Sequence, residues 1–132
     1  MPTRFSKLLL LIAAAMSTAA APAPHASVAT LMSKALADYP GHEATMITVT
    51  FPPGAVDPIH RHDAHALVYV LEGAIVMGVR GGRAVTLKPG ETFYEGPHDV
   101  HTIGRNASKT RPAKFLVVLL KKSGAPILMP AR

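Results

Sequence analysis

The sequence predicts a single all-β domain, an antiparallel sandwich or barrel, and three observations carry that expectation. From about residue 44 onward apolar residues alternate with polar ones, the period that puts one set of side chains on one face of a strand. Glycine- and proline-containing turn signals interrupt this pattern at short intervals. The 132 residues suit one domain, and a hydrophobic content of 48 % suffices for a packed core.

In chain order, residues 1–20 read as a signal peptide. Arg4 and Lys7 make a positive start, residues 8–16 an apolar run, and small residues follow from Ser17 to Ala21. The apolar run is short for a bilayer core of about 30 Å. Thr18 and Ala20 suit the −3 and −1 positions of a cut after Ala20; a cut near Ala26 and an uncleaved anchor are the competing readings. Export to the periplasm of a bacterial host, or secretion, follows from the leader. Residues 21–43 read as an extended linker with alternating prolines, then a short helix over 28–37 with Ser27 as its N-cap. His25 falls in the linker and is expected to take no part in chemistry.

The barrel is expected over residues 44–121, with 122–132 as a tail. Ile47, Val49 and Phe51 alternate with Thr48 and Thr50 until Pro52-Pro53-Gly54 ends the strand. Further strands are expected over 65–71, 75–79, 84–87, 92–94, 100–103 and 115–120. Turns at Glu72-Gly73, Gly81-Gly82, Lys88-Pro89-Gly90 and Gly96-Pro97 separate most of them. Val68 and Val70 share a parity that should face the interior. Tyr69 and Leu71 face the other side, toward solvent or a second subunit. Met46 and Met77 read as core fillers, and Phe93 and Tyr94 as core or pocket rim.

Composition closes off several functions. With no cysteine there is neither disulfide nor thiolate ligand, so any metal must be held by nitrogen and oxygen. The formal charge is +6; without Arg4 and Lys7 it is 12 − 8 = +4. That surplus is scattered, with Lys121-Lys122 the one adjacent basic pair, and aromatic residues make up only 5 %. A nucleic-acid surface needs a clustered basic footprint, usually with stacking aromatics.

Five of the seven histidines bear on function: His60, His62, His65, His98 and His101. His60 and His62 are two apart, which on a strand puts both imidazoles on one face. A third nitrogen from a later strand, such as that of His101, would complete a three-point metal site. Spacing alone leaves a solvated surface pair open as the alternative.

The surrounding residues resemble the two motifs of the cupin superfamily. In the first, Gly54 is followed by five residues, His60-Arg61-His62, three more, and then the place of a glutamate. Six further residues reach Gly73. Ala66 stands in the glutamate place, a clear departure. In the second, Gly90 precedes five residues, and Gly96, Pro97 and His98 fill the Pro-x-Gly slots. Asp99 and Val100 lead to His101, while Asn106 lies one residue beyond the asparagine place, held by Arg105. The resemblance covers roughly residues 44–121. It implies a double-stranded β-helix, a jelly-roll barrel, holding one divalent ion (Fe, Mn, Zn, Cu or Ni) on His60, His62 and His101.

With Ala66 unable to coordinate, two ligand sets remain open. Either His65 turns inward at a loop or β-bulge as a fourth ligand, or three histidines and water suffice. Asp63 is a candidate to orient an imidazole, His98 a candidate pocket residue, and Glu95 and Glu91 candidate bases placed near turns. Glu72 reads as solvated. The function implied is a metal-dependent, dioxygenase-like oxidoreductase acting on a small molecule. A non-catalytic ligand- or metal-binding module and an isomerase-like sugar cupin are the alternatives. Small cupins commonly pair, so a homodimer is expected by resemblance, with no nucleic acid and no membrane bound after cleavage.

Overall fold

The computed structural model describes residues 20–131, so the expected leader lies almost wholly outside the described residues. Ten strands follow in order: β1 Ser27–Ala35, β2 His42–Phe51, β3 His60–Arg61, β4 Ala64–Glu72, β5 Ile75–Val79, β6 Val85–Leu87, β7 Thr92–Glu95, β8 Val100–Asn106, β9 Ala113–Lys122 and β10 Met129–Pro130. They form two five-stranded sheets, β1-β2-β9-β4-β7 and β10-β3-β8-β5-β6, with antiparallel neighbours throughout. The all-β expectation holds. Among the described residues no helix is long and apolar enough to cross a membrane.

The core lies between the sheets, where the period-two pattern places it. Ala64, Ala66, Val68 and Val70 of β4 are buried, while His65, Leu67, Tyr69 and Leu71 point outward. On β9, Phe115, Val117 and Leu119 are buried in the same alternation, and Phe51 meets Phe115 edge to face at 5.1 Å between centroids. Gly73, at φ +68°, has no room for a side chain: a Cβ there would lie 2.5 Å from the Pro112 carbonyl oxygen. Asn106 is buried. Its Nδ2 faces the carbonyls of Phe51, Pro52 and Arg111 at 3.2, 3.0 and 2.8 Å, and its Oδ1 accepts from the Ser108 amide at 2.8 Å.

Two expectations about the chain's ends require correction. The helix over 28–37 is a strand: β1 pairs along its length with β2, from Ser27↔Thr50 to Ala35↔Glu43, with an irregularity between Thr30 and Met32. All nine of its side chains are exposed, so a helix there would have no apolar partner surface, and an isolated helix of that length is marginal in water. The ladder to β2 instead satisfies its backbone groups. The segment after residue 122 is also more than a tail. Lys121 is buried and needs a counter-charge. It pairs with Glu43 and donates to the Ala125 carbonyl at 2.7 Å, pinning the turn that sends the chain back across the barrel. β10 then pairs with β3, Met129 opposite Arg61 and Pro130 opposite His60.

Candidate metal centre

His60 and His101 are direct cross-strand partners on β3 and β8. His62 follows β3 by one residue, so its ring returns to the same inward face. The three are 4, 9 and 3 % exposed. His60 Nε2 lies 3.3 Å from His62 Nε2 and 3.3 Å from His101 Nδ1. Donor atoms bound tetrahedrally at about 2.0–2.1 Å lie roughly 3.3 Å apart; the two separations from His60 match that spacing, and all three donor atoms lie within 4.8 Å of one another, a cluster that could hold a metal ion.

The protons point the same way. His60 Nδ1–H donates to the Pro58 carbonyl at 2.8 Å, and His62 Nδ1–H donates to the Ile127 carbonyl. A neutral imidazole has one N–H. With both spent on carbonyls, the two Nε2 atoms face each other as lone pairs. That arrangement calls for a cation between them, and a carbonyl on the far nitrogen is the usual way a metal-binding histidine is oriented. Burial lowers the pKa of His62, and it lowers that of His101 to about 4. Both rings are therefore neutral at pH 7, the form that coordinates. Gly104 makes room for the third ring, since a Cβ there would lie 2.9 Å from His101 Cε1.

Glu95 completes the inner wall. It was expected in a turn, but it is the last residue of β7, 2 % exposed and facing inward. Its Oε1 lies 3.6 Å from His101 Nδ1 and its Oε2 3.8 Å from His62 Nε2. Burial raises its pKa to about 7, with Asp99 and Asp57 adding to the effect. Glu95 Oε2 and His101 Nε2 are buried without a hydrogen-bond partner among the described residues, a costly state.

The other expected residues lie elsewhere. His65 is not a fourth ligand. β4 is regular at that point, so its odd parity turns His65 outward, where Nδ1 shares a 2.7 Å hydrogen bond with the Tyr94 hydroxyl. His98 sits exposed in the turn before β8. Asp63 pairs with Arg61 at 2.7 Å on the surface. Glu91 Oε2 accepts from the Lys88 amide at 2.6 Å and closes a turn, and Glu72 is exposed. Conversely, His25 lines the cavity mouth despite its linker position.

The site opens into a cavity of about 220 Å³ between the sheets. Ile47, Val49, Val68, Met77, Phe115 and Val117 form its apolar interior, and His25, Asp57, Ile127 and Leu128 stand among its lining residues. Burial raises the Asp57 pKa, against the opposing influence of His60 and His25.

The cupin-domain family model matches residues 47–119, which span the strands that carry these side chains. The chain belongs to the cupin family. Among solved structures, this cupin is similar to a conserved protein with a double-stranded β-helix domain from Klebsiella pneumoniae (TM-score 0.64, 16 % identity, 82 % of this chain and 85 % of that one). It is also similar to the DMSP lyase DddQ from Ruegeria pomeroyi (TM-score 0.58, 22 % identity, 67 % of this chain and 43 % of that one). An oxalate oxidase aligns with a TM-score of 0.59 and 26 % identity, over 79 % of this chain and 54 % of that one. The cupin thus spans about half, or less, of the lyase and oxidase chains. No curated protein matches the sequence.

Proposed function

We propose that this cupin is an exported, mononuclear metal-dependent oxidoreductase, dioxygenase-like, acting on a compact and mainly apolar small molecule. The facing lone pairs of His60 and His62, with His101 beside them at the edge of an apolar cavity, support this reading most directly. A divalent ion held there by His60, His62 and His101 (Fe, Mn, Zn, Cu or Ni) would supply Lewis acidity and, if redox-active, electron transfer to oxygen. The chain's own residues hold the ion and shape what reaches it. The imidazoles bring no charge of their own, and apolar walls strengthen the ion's pull on a polar substrate group. The cavity of about 220 Å³ is smaller than the roughly 300–1,000 Å³ of pockets that take drug-sized ligands. Among the described residues no lysine or arginine lines it, which disfavours the sugar-phosphate cradle of an isomerase-like cupin.

The test is oxygen uptake by iron(II)- or copper-loaded protein given an aromatic diol. The expected result is uptake that disappears in His60→Ala. Stabilisation by the diol without uptake would instead favour a non-catalytic binding module. Export predicts that protein from the native compartment lacks residues 1–20 by intact mass. A homodimer is supported by an outward apolar patch, in which Leu67 lies opposite Tyr94 and next to Tyr69 and Leu71. Light scattering that gives a monomer mass would exclude it.

A further inference from the structure

We propose that Glu95 is the fourth protein ligand of this centre, so that the ion is held by three imidazoles and one carboxylate drawn from both sheets. The inference rests on the three-histidine site and extends it. Glu95 and Ala66 are paired residues on β7 and β4, so their side chains leave the sheet on the same face. Ala66 is fully buried and carries only a methyl group. A larger residue at 66 would fill the space beside Glu95. The methyl leaves the carboxylate reaching across to the opposite sheet, where the imidazoles of His60 and His101 descend from β3 and β8.

Each carboxylate oxygen then meets a different ring, Oε1 toward His101 at 3.6 Å and Oε2 toward His62 at 3.8 Å. These separations are a little longer than the 3.3 Å between the imidazole nitrogens. They suit a carboxylate sharing the ion with both rings. A purely structural role fits poorly. A buried acid kept for stability has hydrogen-bond donors around it, whereas Oε2 has none among the described residues. The imidazole nitrogen 3.8 Å from it, His62 Nε2, bears no proton, because that ring's N–H is given to Ile127.

The assignment is tested by titrating Co(II) into chelator-stripped full-length protein and recording the visible absorption of the bound ion. Wild type, Glu95→Gln and His60→Ala are compared, with thermal melts confirming that each is folded. Glu95→Gln keeps the shape of the side chain and removes its charge. If Glu95 coordinates, Co(II) affinity falls at least about 100-fold, beyond the roughly 10–100-fold that loss of an orienting partner costs, and the absorption bands of any residual complex shift. If Glu95→Gln binds Co(II) with wild-type affinity and spectrum while His60→Ala does not bind, the carboxylate is not a ligand and the three-histidine centre stands alone. If wild type itself fails to bind Co(II), the histidine reading fails and this assignment with it.

Discussion

His62 gives its Nδ1 proton to the carbonyl of Ile127, a residue 65 positions away that reaches the site only because the chain folds back after β9. The C-terminal segment thereby sets which nitrogen of His62 faces the cavity. Truncation after Pro126 is expected to weaken metal binding about 10–100-fold, the usual effect of losing such a partner. The far-ultraviolet circular dichroism of the barrel should persist, because the core residues lie upstream. Metal titration of the truncated chain checks this.

Removing a ligand differs from removing a bystander. His60→Ala or His101→Ala should leave the purified protein with little or no bound metal by elemental analysis. His65→Ala should leave metal content unchanged, since its ring lies outside the barrel against Tyr94. Loss of metal in the His65 variant would contradict the geometry.

In metal-free protein the site should make stability depend on pH. Folding raises the Glu95 pKa from 4.5 to about 7, so the folded state holds this proton more tightly than the unfolded chain. Below pH 4.5 the group has no effect. Between 4.5 and about 7 stability falls as pH rises, and above 7 the full cost, roughly 3 kcal/mol, is present. His101 acts oppositely. Its pKa drops from 6.5 to about 4, so stability is lost as pH falls through that range. Glu95→Gln removes only the first contribution. In chelator, the variant should therefore unfold at higher urea than wild type at pH 8, and the gap should close by about pH 4.5.

Gly104→Ala places a methyl 2.9 Å from the His101 ring. The ring must move, and such overpacking typically costs about 1–3 kcal/mol. Metal affinity should fall as well. Gly78→Ala on the neighbouring strand is the control, since its Cβ would meet nothing closer than 3.4 Å. Urea midpoints and metal titrations of the two variants separate the effects.

Much of this was legible in residue spacing. The alternation of Val68 and Val70 against Tyr69 and Leu71 placed the core face of β4, and the same parity rule, followed strictly, would have sent His65 outward. His60, His62 and His101 could be named because strand period and motif spacing agree on them. What escaped depends on contacts between distant residues. The apolar spacing of residues 28–37 suits a helix as well as a strand, and only the ladder to β2 decides. Glu95 looked like a turn residue because Gly96-Pro97 follows it; its partner Ala66 lies 29 positions earlier. The part played by Ile127 belongs to a backbone carbonyl, which no side-chain pattern reveals.

Both ends of the described chain wall the cavity, His25 and Val28 from one direction and Ile127 and Leu128 from the other. The second of these is tied down by a strand of only two residues. Local opening is easiest where few backbone bonds must break. The wall around a guest is therefore uneven, backed by the long ladders of β4 and β9 on one side and by a two-residue clasp beside Ile127 on the other.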